Sequence, residues 1–271
     1  MAMNNITLTS GMRANLFSLQ QTSNMMETTQ TRLSSGKRVN SALDDPINFF
    51  AAQGHTQRAG DLAMRKDEMS EAIQTIKAAN NGLEGLTDLI ASAKSLAQSA
   101  MATNDTTERG ALDDQYNVML GQMQDIIDDS GYKGTNLLDH AGNQQIVVSF
   151  DESGDSSLTV SAVDVDGFET GPIDWSASVA AITGSIDNLD TLRDTVRTAA
   201  KTLSNQLSTI TTRQEFTTKM INTLEDGAAN LVNADLNEEG ANMLMLQTRQ
   251  SLGTTSLSLA SQAAQSVMRL F

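Results

Sequence analysis

The sequence contains no cysteine, only two prolines and few aromatic residues, which make up 4% of its 271 positions. The absence of cysteine excludes a disulfide framework and a thiolate metal site. Long apolar runs are also missing, because Ser, Thr and Gln recur every few positions even in the most apolar part of the chain. A helix that crosses a membrane needs about 20 consecutive apolar residues, so we expect no membrane partner.

Positive charge is scarce as well. Eighteen Lys and Arg residues stand against 33 Asp and Glu residues, which gives a formal net charge of −15. No basic stripe is available to offset the repulsion between the protein and a phosphate backbone, so we expect no nucleic-acid partner.

Residue patterns that would support catalysis or metal binding are weak. His55 and His140 are the only histidines and lie far apart, without an HExxH pattern. The run Ser34–Arg38, SSGKR, lacks the upstream glycine and the following Ser or Thr of a phosphate-binding loop. We therefore predict no catalytic residue, no cofactor and no metal site, and a protein that is not an enzyme.

What the chain does contain is a weakly charged N-terminal segment with helical periodicity. Ala, Ser, Thr, Asn, Gln, Leu and Met dominate the composition, which is typical of long helices. Four apolar residues repeat every seven positions, with Leu16 filling one intermediate position and Ser23 and Gln30 the next two. The four are Met12, Leu19, Met26 and Leu33.

The C-terminal segment resembles the N-terminal one in its chemistry. One apolar seam, interrupted by Gln250 and Gly253, is accompanied by a second row formed by Leu252 and Leu259. The seam consists of Leu236, Met243, Leu246, Leu257, Ala260, Ala264 and Val267. Pairing the two terminal helices is the simplest way to bury both seams. Because polar residues interrupt each seam, a single pair should be marginally stable, and we infer that it needs further copies of itself.

Helical spacing also dominates the middle of the chain. Asp44, Asp45 and Pro46 predict the start of a helix that continues to about Ala102, although Gly82 and Gly85 weaken this prediction locally. Asn104 and Asp105 predict a turn and a cap, and the next helix ends near Gly131 and Gly134. Its apolar positions are Leu112, Tyr116, Met119, Leu120, Met123, Ile126 and Ile127.

A short region of alternating residues follows. Ile146, Val148 and Phe150, and then Leu158, Val160 and Ala162, alternate with polar residues on either side of a turn-rich link, which predicts a β-hairpin. Helical spacing resumes from Val179 to about Val232, and Gly227 with Asn230 suggests a break before the terminal helix. The predicted fold is mainly α: a long helical bundle or coiled coil with paired N- and C-terminal helices and a small β-hairpin element.

Two runs of residues carry a resemblance to a known family. The run from Gln30 to Asp45, QTRLSSGKRVNSALDD, resembles the N-terminal signature of bacterial flagellins. The tail ANMLMLQTRQSLGTTSLSLASQAAQSVMRLF resembles their C-terminal signature. The resemblance implies a structural subunit that polymerises into the bacterial flagellar filament for swimming motility. A flagellar hook-filament junction protein, which shares related termini, is the alternative.

The resemblance also implies a division of the chain into layers. Residues 1–33 and 235–271 would form an inner coiled coil, residues 34–45 and 226–234 connectors, and residues 46–130 and 176–225 a helical bundle. Residues 131–175 would form the β-hairpin element. Only this short segment separates the outgoing from the returning helices, so the implied subunit is a minimal one without outer variable domains.

Residues of the two terminal segments are implied to pack between subunits, and charged residues of the connector to contact one another. The implied packing residues are Met12, Leu16, Leu19, Met26, Leu33, Leu236, Met243, Leu246, Leu252, Leu257, Leu259 and Val267. The implied connector contacts join Arg32, Lys37 and Arg38 to acidic partners such as Asp44 and Asp45.

The implied partners and location follow from the same resemblance. The main partner is the chain itself, in a helical homopolymer; the others are the flagellar type III export apparatus, an export chaperone, and the filament cap and junction proteins. The implied location is the extracellular flagellar filament. The first residues, MAMNNITLTSGMRANL, show no basic region followed by an apolar core and a cleavage site, so we expect export without a cleaved signal peptide.

Overall fold

The computed structural model describes residues 10–139, 144–165 and 174–268, and within the last helix it describes side chains as far as Ser266. The elements in chain order are α1 Ser10–Ser35, α2 Pro46–Ala102, α3 Thr106–Asp129, β1 Gln145–Ser149, β2 Ser157–Ser161, α4 Val179–Val232 and α5 Leu236–Met268. This arrangement confirms the mainly α class, with paired terminal helices and one small hairpin.

Acidic caps determine where two of the long helices begin. The Asp45 carboxylate accepts a hydrogen bond from the Asn48 amide at 3.0 Å, and Pro46 follows as the first residue of α2. Asp105 caps α3 in the same way, accepting from the Thr107 amide at 2.8 Å. Both helix starts agree with the sequence prediction.

The chain divides into two compact units, which we describe separately. The terminal unit consists of residues 1–57 and 223–271, and the central unit of residues 58–222. In the terminal unit, α1 packs against α5. Both α2 and α4 contribute residues to each unit.

In the central unit, α2 runs antiparallel to both α3 and α4. Lys94 of α2 forms an ion pair with Asp190 of α4, and Gln214 of α4 donates to Ser70 of α2 at 2.7 Å. The buried core draws residues from these helices and from the hairpin, including Ile76, Leu86, Met123, Val160, Ile182 and Leu203. A continuous apolar core of this kind is what gives the central unit its stability.

Trp175, the only tryptophan, is fully buried in that core. Its indole Nε1 donates to Ser185 Oγ at 3.1 Å, and its ring lies 4.6 Å from the ring of Tyr116. The partner hydroxyl satisfies the buried N–H, which would otherwise carry a desolvation cost. The sequence pattern predicted no role for this residue.

The hairpin has the predicted strands and alternation. β1 and β2 pair antiparallel, with Ile146 opposite Val160 and Val148 opposite Leu158. Val148 and Val160 are buried against the helices, while Val147 and Thr159 between them are exposed.

Helix α2 continues without interruption through Gly82 and Gly85, which the sequence marked as weak points. Both glycines face residues at or just beyond the C-terminal end of α3. A Cβ built on Gly82 would come within 2.0 Å of Ser130 Oγ, and one on Gly85 within 3.3 Å of Ile126. These glycines therefore permit close helix packing instead of ending the helix.

Helix α4 spans the range that its helical spacing predicted. It passes through Gly227 and Asn230 and ends at Val232, so the break before α5 is confined to residues 233–235. Asp235 then caps α5 by accepting from the Asn237 amide at 2.8 Å. A glycine inside a long helix carries only a modest propensity cost, which the neighbouring turns offset here.

Candidate assembly interface

The two terminal helices form an antiparallel pair. Near the end of α1, Arg32 contacts Glu239 in the first turn of α5, with Nη1 and Oε1 3.0 Å apart. Near the middle of α1, Leu19 packs against Gly253 of α5. The pair brings together the two segments that the sequence predicted to associate.

On α1, the side facing α5 follows a strict alternation of three and four residues. The buried and half-buried positions at this spacing are Met12, Asn15, Leu19, Thr22, Met26, Thr29 and Leu33, and Ser18 and Arg32 beside them are also half-buried. The predicted seven-residue repeat is correct, but the intermediate positions are not. Leu16, Ser23 and Gln30 are exposed, and the residues one position earlier take their places.

Two threonines explain why the sequence pattern misled at those positions. Thr22 and Thr29 are buried although they are polar. Thr22 Oγ1 donates to the Ser18 carbonyl at 2.9 Å, so its hydroxyl is satisfied within the helix and its methyl group can pack. A search for apolar residues alone overlooks these threonines and assigns the exposed Leu16 to the seam.

On α5, the seam predicted from the sequence faces α1 along most of its length. Met243, Leu246, Gln250, Gly253, Leu257, Ala260 and Ala264 are all buried or half-buried. Leu236, at the first position of the helix, is exposed. The side chain of Val267 lies outside the described residues, as does His140. The seam is therefore occupied within the chain from Met243 to Ala264.

Glu239 is a residue of the pair that sequence reasoning missed. It is only 7% exposed, and it occupies the seam position four residues before Met243. A carboxylate in the first turn of a helix is favoured by the helix dipole, and Arg32 balances its charge. The seam spacing, extended one step toward the helix start, was the signal that could have identified it.

The flank of the pair exposes a second set of apolar side chains. On α5, Met245, Leu252 and Leu259 repeat every seven residues and are 61%, 65% and 62% exposed. Leu16 and Phe17 are also exposed, on other faces of α1. Next to Met245 lies a groove of about 450 Å³, lined by Met25, Arg32, Glu239 and Met245 among others.

The connector after α1 is held to the end of α4 by backbone hydrogen bonds. The amides of Arg38 and Val39 donate to the Val232 carbonyl at 2.7 and 3.2 Å. The Ala234 amide donates to the Gly36 carbonyl at 3.0 Å, and Gly36 has a φ of 69°, which favours glycine.

The charged residues of the connector have partners other than those expected. Arg32 pairs with Glu239, and Arg38 Nη2 donates to the Leu231 carbonyl at 3.4 Å. Lys37 is exposed and forms a backbone bridge with Asn233. Among the described residues, no ion pair joins these three basic side chains to Asp44 or Asp45.

The two aspartates instead bind backbone amides. Asp44 Oδ2 accepts from the amides of Asn40 and Ser41, each at 3.0 Å, and these bonds lower the pKa of Asp44. The bond from the Asn48 amide likewise lowers the pKa of Asp45. Both carboxylates are therefore ionised at neutral pH and serve to shape the connector.

Metal-binding clusters and membrane-spanning helices are both missing from the described part of the chain. No group of three or more His, Cys, Asp or Glu side chains is placed there to hold a metal ion. None of the helices, over the portions described, combines the length and apolar character needed to cross a membrane.

Comparison with known proteins identifies relatives across the whole chain. Residues 4–143 match the family model of the bacterial flagellin N-terminal helical region. The chain is 26% identical over 272 residues to flagellin FljM of Caulobacter vibrioides, with 100% of both chains covered. It is 25% identical over 268 residues to a flagellin of Brucella melitensis biotype 1, covering 94% of this chain and 95% of the relative.

A solved structure supports the fold. The crystal structure of Bacillus cereus flagellin matches with a TM-score of 0.50 and 19% identity, covering 55% of this chain and 88% of that one. Nothing in these matches favours the hook-filament junction alternative. Because the family model spans more than half of the 271 residues, the chain belongs to the bacterial flagellin family and is a structural subunit of the flagellar filament.

Proposed function

We propose that this flagellin joins the filament mainly through the exposed apolar flank of its terminal helix pair. The observation that carries the proposal is the row formed by Met245, Leu252 and Leu259, each more than 60% exposed. Large exposed apolar side chains at heptad spacing are typical of a helix that packs against another helix. In a homopolymer, that neighbour is a terminal helix of another subunit.

The neighbouring side of α5 is already covered by α1, which makes the flank the free surface. Leu246 is buried and Gly253 receives the Leu19 side chain, so this side is occupied within the chain. Of the residues predicted to pack between subunits, Leu16, Leu236, Leu252 and Leu259 remain exposed and available. The others named for that role, from Met12 to Leu257, first serve to hold the pair together.

The composition of the pair supports a need for neighbours. Thr22, Thr29 and Gln250 occupy seam positions that a stable isolated coiled coil would fill with apolar residues. Polar residues at these positions reduce the apolar area that pairing buries, and the stabilisation is roughly 25 cal/mol for each Å² of such area. Burial of the flank against neighbouring subunits would add the apolar stabilisation that the isolated pair lacks.

Seeded polymerisation tests the proposal. Purified wild-type protein is added to short filament fragments beside the double variant Leu252→Ser with Leu259→Ser and a truncation that lacks residues 241–271. A buried leucine contributes about 1.5–3 kcal/mol, so the double variant should raise the critical concentration at least about tenfold. The truncation should not extend the seeds.

A double variant at two exposed polar positions of the same helix, Gln247→Ser with Gln262→Ser, serves as the matched control and should polymerise like the wild type. Equal critical concentrations for the leucine variant and the wild type would exclude the flank as a contact. Failure of the wild type to extend seeds would exclude polymerisation through these helices altogether.

Other proposed partners follow from the family. We infer that the chain passes through the flagellar export apparatus with an export chaperone, and that it meets cap and junction proteins at the filament ends. A weak terminal pair favours this route, because it can be unfolded at little cost.

A further inference from the structure

The middle of α2 contains the only Asn–Gly pair of the sequence, Asn81–Gly82. This dipeptide is especially prone to deamidation, because glycine has no side chain to hinder the attack of its backbone nitrogen on the preceding asparagine. The Asn81 side chain is exposed to water, whereas Gly82 is buried. Water therefore reaches the side-chain amide in the folded chain, and the backbone geometry decides whether the pair reacts.

Deamidation of the pair has two steps and uses only water as a co-reactant. The deprotonated Gly82 nitrogen attacks Cγ of Asn81, a new C–N bond closes a succinimide ring, and the side-chain nitrogen leaves as ammonia. Water then opens the ring at either carbonyl. One product is aspartate, and the other is isoaspartate, whose main chain runs through the former side chain and gains one methylene group.

The helix holds the pair in a geometry that does not close the ring. In an α-helix ψ is about −42°, and each amide donates to the carbonyl four residues earlier. The Gly82 N–H is therefore bound to the Ala78 carbonyl inside α2, while the Asn81 side chain extends into water. The nitrogen and the carbon that must join are kept apart.

Packing on both sides of the pair opposes a local opening of α2. Ala79 and Leu83 are buried in the central core, and a Cβ on Gly82 would come within 2.0 Å of Ser130 Oγ. Releasing Gly82 from the helix exposes this part of the core to water, which costs free energy. The reactive geometry is therefore reached mainly in the unfolded chain.

The isoaspartate product does not fit the folded helix. An extra methylene group in the main chain shifts all later residues of α2 relative to the earlier ones and interrupts the hydrogen bonds that span Asn81. Gly82 lies directly against Ser130 and Leu138, so the chain has no room on that side to take up the extra length.

We propose that Asn81–Gly82 is a deamidation site controlled by folding. The folded chain protects the pair, the unfolded chain converts it to isoaspartate, and a converted chain does not rebuild the central unit. The pair thereby records how long a chain has remained unfolded. The inference is independent of the proposed function, because it concerns only the packing of α2 within the central unit.

Peptide mass spectrometry measures the reaction directly. Full-length protein is kept in mildly alkaline buffer, either native or unfolded in guanidinium chloride, and is then digested with trypsin. The enzyme releases the pair in one peptide between Lys77 and Lys94, and fragment ions distinguish Asn81 from Asn80. Deamidation of Asn81 should be at least about tenfold faster in the unfolded chain, because the folded chain reacts only through local opening.

Two results of this measurement would contradict the proposal. Equal rates in the native and the unfolded chain would show that the fold does not protect the pair. Asn40, which precedes Ser41, is the internal reference in the unfolded chain. If Asn81 reacts no faster there than Asn40, Asn81–Gly82 is not a preferred site.

Refolding tests the consequence of the modification. Wild-type and Asn81→Gln chains are kept unfolded for the same time, refolded by dilution and compared by the fluorescence of the buried Trp175. Glutamine keeps the exposed amide but would have to close a larger ring, which is much slower. The variant should refold fully, while the wild type should lose native signal in proportion to its isoaspartate content.

Asn81→Asp separates the extra methylene group from the added charge. This variant carries the charge of the aspartate product on an unaltered main chain, so it should refold like fresh wild-type protein. Its failure to refold would assign the loss to the charge and overturn the proposed cause. Full refolding of wild-type chains that contain isoaspartate, or an equal loss in the aged Asn81→Gln variant, would overturn the inference.

Discussion

At the scale of single residues, Gly253 determines how closely the terminal helices approach each other. A Cβ built on this glycine would lie 2.6 Å from Leu19 Cδ2 and 3.1 Å from its Cγ. The leucine side chain occupies the space that any larger residue would need. In the sequence Gly253 appears as an interruption of the seam, whereas in the pair it is the position that receives a side chain from the other helix.

Replacing Gly253 by alanine should weaken the terminal pair. Leu19 must move or the helices must separate, and overpacking of this kind typically costs about 1–3 kcal/mol. Gly240→Ala on the same helix is the matched control, because nothing lies within 4 Å of a Cβ at that position. The control should stabilise its helix by about 0.5–1 kcal/mol, the usual gain from replacing a helical glycine.

Amide hydrogen exchange along α1 distinguishes the two variants. Gly253→Ala should speed exchange near Leu19, and Gly240→Ala should not. Slower exchange near Leu19 in the Gly253 variant would show that Leu19 does not fill the space above the glycine.

At the scale of elements, α2 owes its packing against α3 to glycines. Gly82 lies under Ser130 and Leu138, whose nearest atoms would be 2.0 and 2.8 Å from a Cβ. Ser130 is the C-cap of α3, and its Oγ donates to the Ile126 carbonyl, so it cannot swing away without loss of that bond. The end of α3 is therefore fixed against one turn of α2.

Gly82→Ala should destabilise the central unit by about 1–3 kcal/mol or more, because backbone-proximal atoms obstruct the new methyl group. Gly60→Ala is the control in the same helix: it faces open space and should stabilise by about 0.5–1 kcal/mol. The free energy of unfolding of each variant is measured by chemical denaturation, with the fluorescence of the single buried Trp175 as the signal. A gain in stability for both variants would mean that α3 does not approach α2 as described.

At the scale of the whole molecule, net charge opposes assembly. Each subunit carries a formal charge of −15, and polymerisation brings many such subunits together. Because like charge repels, we expect the attraction between subunits to come mainly from apolar contacts.

Salt should therefore promote polymerisation. Raising sodium chloride from about 50 to about 300 mM shortens the Debye length from roughly 14 to roughly 6 Å, which screens the repulsion between subunits. We expect the critical concentration to fall several-fold, measured by sedimentation of filaments at each salt concentration. A rise would show that attractive charge pairs between subunits outweigh the repulsion, and an uncharged solute at equal osmolality controls for crowding.

The sequence alone determined the elements and the family of this protein. Heptad repeats, caps and alternation follow from local geometry, which is the same in any helix or strand, so α2, α3, α4 and the hairpin were predictable. The seven-residue repeat of Met12, Leu19, Met26 and Leu33 was predictable for the same reason. The two terminal signatures point to flagellin through the identity and order of their residues alone.

Only the tertiary structure decided which face of each helix is covered and which glycines permit packing. Thr22 rather than Ser23 faces α5, Glu239 rather than Asp44 pairs with Arg32, and Gly82 and Gly253 receive neighbouring side chains. Each of these contacts depends on which residue lies opposite in space. Composition and spacing along the chain do not identify that residue. The exposure of Leu43, Ile47 and Phe50 has the same origin, because an apolar residue is recognised as uncovered only when its surroundings are known.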